Sequence, residues 1–146
     1  MNRTIRSFLV LLLAVVSLFS FASCSNERDK NFQSDADILA FVKSFDDSHT
    51  ETVVISFKNE VSEAVTELIS YPGKTSDEME AIKNSLELAD DETATVSGDF
   101  ITVERNGNGK YKDTAYNKTK TEISDYFLSL GYTATEIKID SSGLNK

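Results

Sequence analysis

The sequence predicts an α+β domain in which a small, mostly antiparallel sheet packs against helices. Three observations predict it. Apolar residues recur at three- and four-residue steps through much of the chain's first half. Past Asp90 the pattern changes to period two, with Gly- and Asn-rich turns between short runs. The resulting order, helices and then strands and then one more helix and strand, is not the alternation that builds a parallel sheet. The chain has 146 residues, 40% hydrophobic and 27% charged, which suits one ordinary core and not two.

The first predicted helix runs from Asp35 to Asp46, with Ile38, Phe41, Val42 and Phe45 as its apolar stripe and Ser34 or Asp35 as N-cap. Two readings compete from Glu51 to Tyr71. Val54, Phe57, Val61, Ala64, Leu68 and Tyr71 stay in helical phase, while Thr52 to Phe57 is dense in β-branched residues that suit a strand. The phase favours helix, above all over Asn59 to Ser70. Tyr71-Pro72-Gly73-Lys74 ends that stretch, and Thr75 with Glu78 has capping-box spacing for a helix burying Met79, Ile82, Leu86 and Ala89.

Thr93 to Ser97 and Phe100 to Arg105 read as strands joined at Ser97-Gly98-Asp99. Asn106-Gly107-Asn108-Gly109 is a strong turn signal, so Lys110 to Tyr116 is expected to return as the third strand of a meander. Lys118 to Leu130 reads as a helix with Ile123, Phe127 and Leu130 inward, ended by Gly131. Thr133 to Asp140 is the last strand, with Ile137 and Ile139 on one face. The single domain is thus expected over 35–140, with 141–146 as a loose tail. If Thr52 to Phe57 is a strand, the order approaches a ferredoxin-like two-layer sandwich.

Composition removes several function classes. One Cys excludes an intramolecular disulfide framework, and one Cys with one His excludes a Cys/His zinc site. A formal charge of −9 speaks against nucleic acid as a partner, since phosphate binding draws on Lys and Arg. No Gly-x-Ser-x-Gly elbow, phosphate-binding loop or dinucleotide fingerprint is present, and no cofactor is expected.

Three segments hold chemistry-bearing residues. His49, the only imidazole, stands among Asp46, Asp47 and Glu51, which invites a weak divalent-ion site. The absence of Gly there favours a solvated connector instead. Glu104 to Gly109 has the oxygen spacing of a calcium loop and Gly at the sixth place, but Ala115 stands where a closing Glu belongs, so a hairpin turn explains it better. Tyr111, Tyr116, Tyr126 and Tyr132 cluster in the last third beside Lys110, Lys112, Lys118 and Lys120. Tyrosines of that kind are the candidate binding face, though such residues more often serve as core and rim.

The N-terminus reads as an export signal. Arg3 and Arg6 precede Phe8 to Ala22, an apolar run of 15 residues broken only by Ser17 and Ser20, short of the ~20 needed to span a bilayer. Phe21-Ala22-Ser23-Cys24 resembles the lipobox of bacterial lipoproteins, with Phe21 in place of the usual aliphatic. The resemblance implies cleavage before Cys24 and acylation of its thiol, with 1–23 as signal peptide and 24–34 as lipidated Cys and polar tether. It carries no implication for the folded part. The leader holds two of the 15 Lys and Arg and none of the 24 Asp and Glu, leaving 13 against 24, a net of −11. Such a body is repelled by anionic headgroups, so the membrane is reached through the lipid alone.

The expected function is a lipid-anchored, extracytoplasmic, non-enzymatic binding module of a bacterial envelope, engaging a protein or other envelope component. An acidic inhibitor or immunity-type lipoprotein masking a basic partner is the alternative, and a small hydrolase the third reading.

Overall fold

The computed structural model describes residues 38–137. The leader, Cys24, the tether, Ile139 and the tail lie outside the described residues. Within them the order is β1 (Ile38–Phe45), β2 (His49–Lys58), β3 (Val61–Ser70), α1 (Ser76–Ser85), β4 (Thr93–Ser97), β5 (Phe100–Arg105), α2 (Lys120–Ser129) and β6 (Thr133–Ile137). The strands form one antiparallel sheet in the order β4-β5-β3-β2-β1-β6. This is an α+β architecture. The first three strands follow one another as hairpins without a helix between them, so the ferredoxin-like element order does not appear.

The helices expected over Asp35 to Asp46 and Asn59 to Ser70 are instead β1 and β3, and the undecided Thr52 to Phe57 lies in β2. The physical reason is burial on both faces. Ile38, Leu39, Ala40 and Phe41 are all buried, as are Val65, Thr66, Glu67, Leu68 and Ile69. A strand covered on both sides has no reason to alternate, and its apolar residues then fall by chance into helical phase. The β2–β3 reversal settles the choice locally. Asn59 and Glu60 have φ of 52° and 66°, the paired positive values of a type I′ hairpin turn whose twist matches the flanking strands.

Two elements follow the sequence closely. Thr93–Ser97 and Phe100–Arg105 pair across the Gly98-Asp99 turn, and Gly98 has φ of 59°. Helix α1 starts on its capping box, with the Glu78 N–H donating to Thr75 Oγ1 (3.3 Å) and the Thr75 N–H to Glu78 Oε2 (2.8 Å). Lys110 to Tyr116, by contrast, is not a returning strand. It winds through successive turns in which the Thr114 and Ala115 N–H groups donate to the Tyr111 carbonyl, and it sends Tyr111 and Ala115 into the core. Strand β5 therefore pairs with β3 on its second side, not with the segment that follows it.

Both helices lie on one face of the sheet. Leu39, Phe41, Val53, Ile55, Phe57 and Val65 meet Ile123 and Phe127 of α2, while Ile69, Ile101 and Val103 meet Met79 of α1. Phe127 stacks on Phe41 (centroids 4.6 Å apart, 16° between planes) and takes Tyr126 and Tyr132 edge-on at 5.2 Å. Phe41 and Phe127, both fully buried, each contribute roughly 1.5–3 kcal/mol. The other face carries Ile38, Ala40, Val54 and Leu68 among Thr52, Thr66, Thr95, Thr102, Thr133 and Thr135, with no described helix upon it.

Helix α2 starts on a second capping box, Thr119 with Glu122, two residues past the expected start. It ends on a Schellman arrangement, in which the Tyr132 N–H reaches the Phe127 carbonyl and the Gly131 N–H reaches that of Leu128, each at 3.1 Å. Leu130, expected inward, is the C-cap just past the helix and is exposed at 45%. Gly131 adopts φ of 85° with open space where a Cβ would stand, so the cost of substitution there is conformational alone. Gly131→Ala is expected to lose about 1–2 kcal/mol in urea unfolding without changing the fold seen by circular dichroism.

Candidate functional site

The centre of the sheet holds a charge. One row of side chains on the helix-covered face reads Ala134, Phe41, Val53, Glu67, Val103, Ala94 across the strands, and Glu67 is wholly buried in it. A lone carboxylate there would cost several kcal/mol. The next row supplies the remedy, because Arg105 pairs with Val65 one step along and lies on the same face. Its Nη2 and Nε donate to Glu67 Oε2 at 2.6 and 2.9 Å. Glu67 Oε1 accepts from Lys110 Nζ (2.7 Å) and from the Tyr111 hydroxyl (2.9 Å).

Arg105 reaches outward as well. Its Nη1 donates to Glu92 Oε2 (3.0 Å) and to the Glu87 carbonyl (3.2 Å). Glu92 in turn accepts from the backbone N–H groups of Ala89 and Asn106, at 2.9 and 3.1 Å. Two carboxylates, two cations and a phenol are thus mutually satisfied, and they tie β3 and β5 to the segments before β4 and after β5. Gly109 is part of the fit, since a Cβ there would stand 1.8 Å from Glu92 Oε1. Burial pushes the Glu67 carboxyl up, but the Lys110 and Arg105 hydrogen bonds and charges outweigh it and hold it below the ordinary 4.5. Glu92 is likewise lowered, its burial outweighed by the two backbone donors and Arg105.

Access decides what this network does. Lys110 brings it to the surface, its side chain about half exposed, its ammonium over the Tyr111 ring, at the rim of an open cleft of about 370 Å³ lined with Glu87, Leu88 and Ala89. The two carboxylates and the guanidinium beneath are sealed off, each already holding its partners. The arrangement is a staple for the 106–119 loop. Sequence reading missed it, although Glu67 amid Val65, Thr66, Leu68 and Ile69 was its signal once that segment is read as a strand.

The sequence-predicted residues divide between loop and core. Asp46, Asp47 and Ser48 form the exposed β1–β2 turn, with Asp46 at φ of 50°. His49 and Glu51 are not connector residues, because β2 begins at His49 and its alternation puts both side chains on the helix-covered face. His49 stacks between Phe45 (4.7 Å, 1°) and Tyr71 (5.1 Å, 20°), and its Nε2 stands 3.7 Å from Glu51 Oε1. Glu51 Oε2 accepts from the Tyr132 hydroxyl (2.8 Å). Among the described residues no three His, Cys, Asp or Glu side chains are placed to hold a metal ion.

Ser48 beside His49 looks at first like a nucleophile and its base. The single hydroxyl proton of Ser48 goes to the Phe45 carbonyl (2.7 Å), which can only accept. The 2.9 Å contact between Ser48 Oγ and His49 Nδ1 is then a bond donated by the imidazole. Proton flow in that direction does not activate a serine.

The four tyrosines divide between core and rim. Tyr111 and Tyr132 are core residues, 3% and 9% exposed, and only Tyr116 and Tyr126 are half-buried at the rim. Their hydroxyls explain the placement. Tyr111 is spent on Glu67, Tyr132 on Glu51, and Tyr116 on the Arg105 carbonyl. Of the four lysines, Lys110 is paired with Glu67, and Lys120 is buried over the Phe57 ring near Glu60.

Removing the guanidinium takes the Arg105 hydrogen bonds and charge from two buried carboxylates. Arg105→Met is expected to lose about 3–5 kcal/mol by urea unfolding, the usual cost of breaking a buried pair from one side. Acid acts on the same groups. Because Glu67 and Glu92 bind protons less readily folded than unfolded, their contribution is fully present above about pH 4.5 and lost as pH falls through their lower folded values. Thermal midpoints should be level from about pH 7 to 5 and drop below about pH 4, with a shallower drop in Glu92→Gln.

Comparison with family models, with curated proteins and with solved structures gives no match for this chain.

Proposed function

We propose that the chain is a lipid-anchored, extracytoplasmic binding module of a bacterial envelope, non-enzymatic and engaging a protein or other envelope component. The observation that carries this reading is Cys24, placed after Ala22-Ser23 at the end of the apolar run Phe8 to Ala22. Thirteen residues separate Cys24 from the start of β1. At ~3.3–3.6 Å per residue they reach at most ~45 Å, enough to hold the domain clear of the lipid surface. The net charge of −11 past Cys24 works in the same direction. Two features support binding over turnover. The Ser48 proton is directed at a carbonyl and not at the imidazole, and the buried carboxylates are each committed to partners.

The test is acylation in a bacterial host. Cys24→Ala is expected to abolish labelling by radioactive palmitate and to leave the precursor unprocessed by the lipoprotein signal peptidase. Equal labelling of variant and parent would refute the anchor.

A further inference from the structure

Two Asn-Gly pairs follow β5 in direct succession, Asn106-Gly107 and Asn108-Gly109, and no other Asn in the chain precedes a Gly. Such pairs carry a reactivity of their own. The backbone nitrogen of the Gly can attack the Asn side-chain Cγ, because no Cβ on the Gly crowds the approach. By sequence the two pairs are equivalent, but their surroundings in the fold are not.

Asn106 is held at both ends of its amide. Its Oδ1 accepts from the Asn108 N–H (2.8 Å), and its Nδ2 donates to the Asp90 carbonyl (2.5 Å). Its own N–H is fixed on Glu92 Oε1 (3.1 Å). Swinging Cγ onto the Gly107 nitrogen means breaking the two side-chain bonds. Asn108 is exposed, and its amide makes no hydrogen bond among the described residues. The nitrogen it faces, that of Gly109, is engaged only by a long bond to the Asn106 carbonyl (3.3 Å). From this contrast we infer that Asn108 is a site of spontaneous deamidation in the folded protein, and that Asn106 is kept from the same reaction by its hydrogen bonds.

The chemistry needs only water. The Gly109 nitrogen gives up its proton and bonds to Asn108 Cγ, the Cγ–Nδ2 bond breaks, and ammonia leaves with that proton. The product is a five-membered succinimide. Water then opens it at one of its two carbonyls. Cleavage at Cγ gives Asp, whereas cleavage at the main-chain carbonyl gives isoaspartate, whose backbone is one CH₂ longer. Either product adds a negative charge to the turn.

The longer backbone matters here because of the next residue. Gly109 lies so close to Glu92 that even a Cβ would stand 1.8 Å from its Oε1. The Gly109 carbonyl also accepts from the Lys112 N–H (3.1 Å), and the adjacent Lys110 holds Glu67. An isoaspartate at 108 therefore displaces the point at which the 106–119 loop is fastened to the buried network.

The test is peptide mapping by mass spectrometry on the full chain, kept in mildly alkaline buffer either folded or in urea. In the folded chain the amide-to-acid mass gain is expected at 108 about tenfold or more faster than at 106, since Asn106 must first lose two hydrogen bonds. In urea the two sites are expected to react at similar rates. Asn106 keeping pace with Asn108 in the folded chain, or Asn108 unchanged there, overturns the assignment. Asn106 that stays slow in urea overturns its protection by the fold. Asn108→Ser is expected to abolish the gain at 108 and leave Asn106 slow, and a rise at 106 in that variant likewise counts against the hydrogen bonds as its protection. The isoaspartate form, separated by chromatography, is expected to unfold at lower urea than the parent. Equal midpoints overturn the link to the buried network.

Discussion

A carboxylate in the middle of a hydrophobic row is the constraint on which much of this structure depends. Glu67 occupies a position where Val53 and Val103 are its cross-strand neighbours, and every direction it can point is dry. Its charge survives there only if cations and hydroxyls are brought to it, and each one brought fixes a piece of chain. Arg105 fixes the end of β5, Tyr111 and Lys110 fix the loop beyond it, and Glu92 fixes the approach to β4. A loop with this many polar backbone groups would ordinarily lie on the surface. Here the network draws it inward, and Ala115 and Tyr111 follow into the core that α2 then covers.

The network also explains why the tyrosines are where they are. Tyr111 and Tyr132 combine a large apolar ring with one polar atom, and each finds a carboxylate for that atom, the buried Glu67 and the partly buried Glu51. Phenylalanine would fill the same space but leave Glu67 or Glu51 one donor short. The aromatic cluster around Phe127 is consequently not a generic oily core. It is anchored to specific acids on β2 and β3, which fixes how α2 lies across the sheet.

Legibility in the sequence followed exposure. The β4–β5 hairpin sits at the sheet edge, alternates between inward and outward residues, and was readable to the residue. The capping box of α1 was readable because it is local chemistry between Thr75 and Glu78. The three strands from Ile38 to Ser70 were not, since burial on both faces erases the period of two and leaves an accidental helical phase. Asn59 was the available clue, an αL-tolerant residue between two β-branched runs, and Glu60 in the second turn position concealed it. The buried network was hidden for the same reason, because Glu67 on a helix would have pointed to solvent. His49 and Glu51 were noticed as a pair, but only a strand puts residues two apart on one face.

The antiparallel pairing of β6 with β1 has a mechanical consequence. Ile38 and Ile137 are register partners, so the entry and exit of the described domain stand side by side on neighbouring strands. A force applied between the two ends of the described domain pulls directly on that pair. The hydrogen bonds between the two strands then break one after another, as a zipper opens, and not all together as in shear. Under load, β6 would peel away first and take with it the Tyr132 hydroxyl from Glu51, while the hairpins of β1, β2 and β3 stayed paired.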